Sequence, residues 1–296
     1  MNAFDPARLA ALDDALRPVA DWLGTFALHS TAALSLAWGA AALLGRRAAG
    51  AQEALLRAAL FAPLVSATLQ LAVVGSPWTA WFAAATPAAS PAPVHERVFV
   101  VPDLAAFAME PVGAAAPTGS GMPVPWAVLA VAAAALAAAL GTAWLALAWW
   151  RLRRVLVDRV PETAPRALAT ASRLAHALGL RQSPHLSRSE RLATPIAFGL
   201  LRPEICLPAR ANALDDEALA AMLGHELAHL RRADPRATWA AAVLQALFPW
   251  QLLLAPVRRR WSRLVELRCD AIAAAQTSPT GVARCLLEVA SWLSPR

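Results

Sequence analysis

A short stretch of the chain carries residues whose types and spacing suit the binding of a metal ion. Residues 225–229 form an HExxH sequence inside an apolar run with helical periodicity. Because residues at i and i+4 lie on one helical face, His225 and His229 can offer imidazole nitrogens to the same cation. Such a pair supplies two of the three protein ligands of a catalytic zinc site. Glu226, next to the first histidine, is the candidate general base that takes a proton from water.

A pair of acidic residues on a later helical pattern completes the candidate site. Glu266 and Asp270 stand at i and i+4, in an ExxxD arrangement. We expect Glu266 to be the third ligand of one zinc ion, and Asp270 to accept a hydrogen bond from a ligand imidazole and fix its tautomer. The alternative interpretation is a solvated helix face with charges at ordinary spacing.

A β-like region ahead of the motif provides candidates for substrate binding. Short segments bounded by Pro and Gly between residues 184 and 208 predict a small sheet. Its predicted edge strand contains Ile196, Ala197, Phe198 and Gly199, and such an edge can bind an extended peptide by strand addition. A merely structural hairpin is the alternative. The chain has no Tyr, so a second oxyanion donor would be His or Arg, and His185 is our candidate.

Two neighbours of the motif are expected to have structural roles. Asp234 directly precedes Pro235, so we expect it to cap a new helix instead of assisting the metal. Cys269 lies near Glu266 on a different helical phase, and core packing is its expected role. The cysteines are odd in number and irregularly spaced, which predicts free thiols at all of them: Cys206, Cys269 and Cys285.

The composition indicates a membrane protein. Hydrophobic residues make up 58% of the chain and charged residues 16%, whereas soluble domains carry about 25% charged residues. The net charge of +7 comes entirely from Arg, with no Lys. These Arg residues flank apolar segments and do not form a separate basic domain, so we expect contact with the lipid bilayer and no direct nucleic acid binding.

Three apolar stretches are long enough to predict transmembrane helices, at residues 22–44, 58–74 and 126–150. Positive charge follows the first stretch instead of preceding it, which favours an anchor over a cleaved signal peptide. The Arg residues beside the spans are Arg46, Arg47, Arg57, Arg151, Arg153 and Arg154. By the positive-inside rule they face the cytoplasm, which places the N-terminus outside a bacterial-type inner (cell) membrane.

The same rule divides the chain into two parts. Residues 1–150 are predicted to be a membrane domain, in which the Pro- and Ala-rich loop 75–125 is extracytoplasmic and 95–101 is a candidate strand. Residues 151–296 are predicted to be a cytoplasmic zinc metallopeptidase domain.

A further apolar run, 237–257, is predicted not to cross the membrane. A crossing would put Glu266 on the opposite side of the bilayer from the histidines, and Arg residues flank the run at both ends. Pro249 and Pro256 interrupt it, so we expect a membrane-dipping helical hairpin whose second arm starts near Pro256. The predicted fold is a mainly α membrane protein with three transmembrane helices and a cytoplasmic α+β, gluzincin-like zinc-peptidase domain that includes this hairpin.

The chain resembles the BlaR/MecR family of integral-membrane zinc peptidases, which includes the beta-lactam sensor-transducers. The resemblance rests on the three early spans and on segments 194–208, 224–234 and 266–270. Membrane gluzincins of the heat-shock and prenyl-protein-processing type are similar around HExxH and ExxxD, but the Arg-Cys-Asp ending of the last segment favours the first family. The resemblance implies zinc ligands at His225, His229 and Glu266 and a catalytic carboxylate at Glu226.

In that family an extracytoplasmic signal activates cytoplasmic proteolysis, which inactivates a DNA-binding repressor. We therefore expect a membrane-embedded zinc-dependent endopeptidase, an antirepressor that cleaves a protein substrate such as a cytoplasmic regulator. The sequence ends at Arg296 without a penicillin-binding sensor domain, so beta-lactam sensing is not carried over; a shortened member, a fragment and a protease with another input all fit.

Two other functions are compatible with the same residues. One is a membrane quality-control metalloprotease, which would degrade many misfolded substrates instead of one regulator. The other is a non-catalytic signalling scaffold with a structural zinc site. A fourth protein ligand, such as Cys269 or His185, would favour the scaffold, whereas an open position would favour the enzyme.

Overall fold

The computed structural model describes residues 5–45, 48–75, 77 and 124–293, and within them it is mostly helical. The helices are α1 (Pro6–Leu43), α2 (Ala49–Leu69, continued by a π-helical segment Gln70–Val74), α3 (Trp126–Val155), α4 (Pro165–Ala177), α5 (Asp216–Arg231), α6 (Asp234–Leu247), α7 (Leu254–Gln276) and α8 (Pro279–Leu293). The strands are β1 (Val160–Pro161), β2 (His185–Ser189), β3 (Ile196–Phe198) and β4 (Glu204–Pro208). Arg46, Arg47 and most of the predicted loop, including 95–101, lie outside the described residues.

Three of these helices are long and apolar enough to cross a membrane: Pro6–Leu43, Ala49–Val74 and Trp126–Val155. They cover the predicted stretches and extend beyond them, except that the first helix ends at Leu43, one residue before the predicted end. The first helix begins at Pro6 because the side chain of Asp5 accepts the Ala7 amide at 3.0 Å and caps it, so residues 6–21 ahead of the first predicted stretch belong to the same helix. Apolarity marks which residues suit hydrocarbon, whereas backbone hydrogen bonding decides where a helix ends.

The apolar run 237–257 is split between two helices. Helix α6 ends at Leu247 and α7 starts at Leu254, so the chain turns between them. The turn packs on the middle of α1: the rings of Phe248 and Phe26 are 4.3 Å apart, and Gln251 Nε2 donates to Ser30 Oγ at 2.6 Å. Phe26 lies about 25 Å along the helix axis from the end of α1. The tip of the α6–α7 hairpin is therefore level with the apolar middle of that helix.

The small sheet has the strand order β1-β2-β4-β3. Strands β2 and β4 are parallel, and β3 pairs antiparallel with β4, with Ile196 opposite Cys206. Within the described part of the chain, β3 is thus an edge strand with one side free of sheet pairing. All three cysteines are buried and free, as predicted.

The motif helix α5 lies between two hydrophobic cores. One core joins α1, α2, α6 and α7 around the fully buried side chains of Phe26 and Trp261, and α5 contributes Ala228 to it. The other joins α4, the sheet and α8, and α5 contributes the fully buried Leu223 and Leu227. Since α5 packs on both sides, its position is set jointly by the membrane helices and the peptidase part.

Helix α3 packs closely against α6, which requires a residue without a side chain. A Cβ added at Gly141 would overlap the backbone carbonyl of Ala246, whereas a Cβ at Gly39 in α1 would meet nothing within 4 Å. Close approach of helices through small residues is common in membranes.

We predict that Gly141→Ala destabilises the protein by about 1–3 kcal/mol, because overpacking outweighs the gain in helix propensity. Thermal unfolding in detergent micelles measures it, and Gly39→Ala is the matched control, expected to keep or raise the midpoint. Equal midpoints for the two variants would contradict the close packing of α3 on α6.

Candidate metal centre

The motif helix α5 holds the two histidines on one face. It begins where the Asp215 side chain accepts the Ala218 amide at 2.7 Å, and two further acidic residues occupy its first turn, where they favour the helix dipole. One helical turn separates His225 from His229, and their Nε2 atoms are 3.1 Å apart. Both side chains are largely shielded, with 22% and 15% of their surface exposed.

Helix α7 brings the third candidate ligand to the same point. Glu266 Oε2 lies 3.3 Å from His225 Nε2 and 3.7 Å from His229 Nε2. Ligand atoms around a tetrahedral zinc, with bonds near 2.0 to 2.1 Å, are separated by about 3.3 Å. The three atoms therefore already have the spacing of one face of such a tetrahedron. We call His225 Nε2, His229 Nε2 and Glu266 Oε2 the ligand triangle.

Each histidine is oriented through its other nitrogen by a carboxylate. His225 Nδ1 lies 2.8 Å from Asp270 Oδ1, and His229 Nδ1 lies 3.1 Å from Asp234 Oδ2. A neutral imidazole that donates from Nδ1 keeps its lone pair on Nε2. With both imidazoles in this neutral form, two lone pairs and a carboxylate oxygen would converge on one point, which is a donor set that fits a metal cation.

The position of Asp234 differs from the sequence-based expectation. The cap of α6 is Ala233, which adopts a left-handed conformation with φ of 56°, and Asp234 is the first helical residue, 2% exposed. This tight turn folds the carboxylate back beneath His229, so the expected capping role is wrong and the residue orients a candidate ligand instead. The available signal was an Asp five positions after the second histidine, too common a pattern to interpret alone.

Cys269 is buried, as expected, but it also touches the site. Its Sγ lies 3.4 Å from His229 Nδ1 and 3.6 Å from Asp234 Oδ2. These three groups form a second cluster of potential metal ligands. However, Arg232 Nε donates to the same Asp234 oxygen at 3.0 Å, and a guanidinium in that place opposes a second cation. We therefore interpret Asp234 and Cys269 as residues that hold the His229 ring in place, and not as ligands of a second metal ion.

The electrostatics of the cluster follow from its hydrogen bonds. Burial lowers the pKa of His225, but hydrogen bonds to Asp270 and Glu266 outweigh it and raise the pKa to about 9. For His229 burial acts in the same sense, and the hydrogen bond to Asp234 with further contacts raises its pKa to about 12. Hydrogen bonds with His225 and His229 hold the pKa of Glu266 well below its ordinary value. A metal therefore competes with protons for the imidazoles.

Glu226 faces the same space but takes no part in the ligand triangle. Its side chain is buried, with 6% of the residue exposed. Burial raises the pKa of the carboxyl above its ordinary value, against the opposing effect of the two histidines and of the Ala197 amide. A carboxylate with a raised pKa is better suited to accept a proton near neutral pH.

Two cavities, of about 610 and 390 Å³, meet at the ligand triangle. His225, Glu226 and Glu266 line both of them. The larger cavity is also lined by the predicted substrate-binding residues Ile196, Ala197, Phe198 and Gly199, and by Leu145, Ala148, Trp149 and Leu152 of α3. Gly199 directly follows the edge strand with φ of 97°, where a Cβ would collide with the Arg202 carbonyl.

The structure does not bring His185 to this site. It is the exposed first residue of β2, and the described residues that line the two cavities do not include it. The β2 strand is separated from β3 by β4, so the sheet keeps His185 away from the edge that faces Glu226.

Comparison with known proteins agrees with this arrangement. The sequence profile described as "BlaR1 peptidase M56" matches residues 60–290. The chain belongs to this family. Membership in the M56 peptidases implies a metallopeptidase associated with the membrane, and three apolar helices agree with an integral membrane protein. The match includes α5 and α7, the helices that carry the ligand triangle.

A curated relative supports the same family. Regulatory protein BlaR1 of Bacillus licheniformis is 29% identical to this M56 chain over 85 residues. The match covers 29% of this chain and 14% of that protein, so the chain spans only a small part of its relative's length.

We predict that Asp234→Asn weakens zinc binding by this M56 protein about 10- to 100-fold, because the carboxylate that orients His229 is lost. Chelator competition on the protein in detergent micelles measures the affinity, and Asp270→Asn should act similarly through His225. The matched control is Asp158→Asn, which removes an ion pair to Arg191 away from the site. Unchanged affinity in the Asp234 variant would assign that residue to folding alone.

We also predict that zinc affinity rises with pH between 7 and 9. The pKa of His225 is raised to about 9, so the free protein holds this proton below that pH, and zinc has to displace it. Affinity should increase about tenfold per pH unit for each proton displaced. Asp270→Asn should flatten the dependence, because it removes the hydrogen bond that raises this pKa. A pH-independent affinity in the wild type would contradict the proposed proton competition.

Proposed function

We propose that this chain is a membrane-embedded zinc-dependent endopeptidase that cleaves a cytoplasmic regulator, such as a DNA-binding repressor. The observation that carries the proposal is the convergence of His225, His229 and Glu266 beside the buried carboxylate of Glu226. Family membership supports the peptidase chemistry, and the name of the relative, regulatory protein BlaR1, supports a regulatory substrate.

The residues of the site suit hydrolysis of a peptide bond. His225, His229 and Glu266 would hold zinc, which when bound polarises a carbonyl and makes water more acidic. Glu226 takes the proton from the attacking water and delivers it to the leaving amine. Asp270 and Asp234 keep the two imidazoles in the tautomer that leaves Nε2 free for the metal.

The edge strand β3 would bind the substrate peptide and align it with the site. Its unpaired side can add an extended peptide as another strand, which would run the scissile bond past Glu226 in the larger cavity. The opposite wall of that cavity belongs to α3, one of the candidate membrane helices. The substrate peptide would thus bind between the edge strand and a membrane helix, at the membrane surface.

The proposed orientation puts the metal site on the cytoplasmic side of the inner membrane. Arg153 and Arg154 lie in the last turn of α3, and Arg260 of α7 binds the carbonyl of Ala41 at 2.7 Å near the end of α1. Positive charge at these helix ends is typical of a cytoplasmic face. In this orientation the α6–α7 hairpin would dip into the bilayer beside α1 and return, with lipid as its partner and no direct nucleic acid binding.

The arrangement of ligands favours an enzyme over a structural zinc site. Among the described residues, the cluster around the two Nε2 atoms has three members, and a catalytic site needs a further position open to water. Cys269 contacts the Nδ1 side of His229, away from the triangle, and His185 is elsewhere in the sheet. Neither of the residues considered as a fourth ligand is in a position to close the site.

We predict that Glu226→Gln keeps zinc but lowers peptide-bond cleavage about 10²- to 10⁴-fold, because the general base is lost while the three ligands remain. The wild type and the variant, expressed in the same bacterial host, are compared for zinc content and for cleavage of a co-expressed DNA-binding repressor encoded next to the protease. His225→Ala is the companion variant, which should lose both zinc and cleavage.

Mass spectrometry of new protein termini in these cells identifies the class of substrate. Termini that depend on Glu226 and fall within one regulator support the proposal, whereas termini spread over many misfolded proteins would favour quality control. Zinc-loaded wild type with no Glu226-dependent terminus would favour the scaffold.

A further inference from the structure

A buried carboxylate on a candidate membrane helix joins the two helices that carry the metal ligands. Glu53 lies in the second turn of α2 and is 4% exposed. One of its oxygens accepts a hydrogen bond from Arg232 Nη2, and the other accepts one from Arg268 Nη1 at 2.8 Å. Each carboxylate oxygen therefore has its own guanidinium.

The two arginines belong to different ligand helices. Arg232 is the C-terminal cap of α5, three positions after His229. Arg268 lies on α7, two positions after Glu266. By binding both, Glu53 ties the end of the histidine helix to the middle of the glutamate helix, next to the point where their ligands meet.

The contacts continue from Glu53 to a metal ligand without a gap. Arg232 Nε donates to Asp234 Oδ2 at 3.0 Å, and the same oxygen lies 3.1 Å from His229 Nδ1. The chain of charged groups runs from α2 through Arg232 and Asp234 to the imidazole that faces the other ligands. A shift of Glu53 would therefore reach His229 through Arg232 and Asp234.

Stability alone is a poor explanation for this network. Burying the charges of Glu53 and Arg232 is costly, and well-packed apolar residues in their place are often as stable or more so. A network of this kind does fix directions, because a guanidinium binds a carboxylate in a defined geometry. It is suited to holding two helices in one relative position.

We infer that Glu53 is a positioning residue for the metal centre, through which the membrane helix α2 sets the geometry of the ligand triangle. The inference rests on the proposed function, since it needs a metal site to position. From Glu53 to Val74 the helical segment is about 32 Å long, close to the thickness of the hydrocarbon core. One side of the membrane is thereby joined to the ligands by a continuous helix and a network of charged side chains centred on the buried Glu53.

The test compares the full chain in lipid nanodiscs with the variants Glu53→Gln, Glu53→Asp and Gln52→Ala. Zinc affinity is measured by chelator competition, and the absorption spectrum of the Co²⁺-substituted protein reports the geometry of the ligands. Gln52 is the matched control: it is the adjacent residue, also buried, and bonds to the carbonyls of Leu44 and Gly45 without contacting either arginine.

We expect Glu53→Gln to weaken zinc binding about tenfold or more and to change the Co²⁺ spectrum, because Arg232 keeps Asp234 but loses the carboxylate of α2 as its other charged partner. Glu53→Asp, which keeps the charge, should recover part of the affinity. Gln52→Ala should lower the thermal midpoint without changing the spectrum. If Glu53→Gln keeps both the affinity and the spectrum of the wild type, Glu53 only docks α2 and the inference is wrong.

A double variant tests the route through Asp234. Since Glu53 acts on His229 through Arg232 and Asp234, the losses of zinc affinity in Glu53→Gln and Asp234→Asn should not add in the combined variant, and full additivity would overturn the route. If Glu53→Gln does not fold, Arg268→Gln replaces it, because it releases α7 while leaving Glu53 paired with Arg232. In that variant an unchanged Co²⁺ spectrum would overturn the inference. A wild type that binds no zinc would instead refute the proposed function.

Discussion

The meeting of three candidate ligand atoms from two helices is the constraint on which the rest of this structure depends. Two of the atoms come from α5 and the third from α7, and an apolar run lies between them in the chain. If that run crossed the bilayer, the ligands would be separated by the thickness of the hydrocarbon. The turn at residues 248–253, packed on the middle of α1, reverses the chain and makes the triangle possible.

Charged groups around the ligand triangle orient its side chains as well as bringing them close together. Two carboxylates orient the imidazoles, and the arginine that binds one of them is itself held by Glu53 of α2. The ligand set is therefore connected to the membrane helices by side-chain contacts and not only by the chain. In this M56 peptidase, the contacts place the candidate metal centre next to a helix that is long and apolar enough to cross a membrane.

The larger cavity shows the same joint construction. The edge strand supplies one wall and α3 supplies another, while Glu226 and the ligands close the end. Neither the peptidase part nor the membrane part would form this cavity alone. The cavity therefore contains residues from both sides of the predicted boundary at residue 150. That boundary was drawn from hydropathy, which indicates whether a segment suits lipid or water but not which other segments it contacts.

The sequence by itself determined the local features. The HExxH and ExxxD spacings indicated His225, His229, Glu266, Glu226 and Asp270, and apolar stretches indicated three membrane helices, because helical period and hydropathy are properties of neighbouring residues. Only the tertiary structure showed the contacts of Asp234, Cys269 and Glu53 and placed His185 away from the two cavities. Those outcomes depend on a left-handed turn at Ala233, on the order of strands and on the packing of α2, which bring together residues far apart in the chain and leave no periodic pattern.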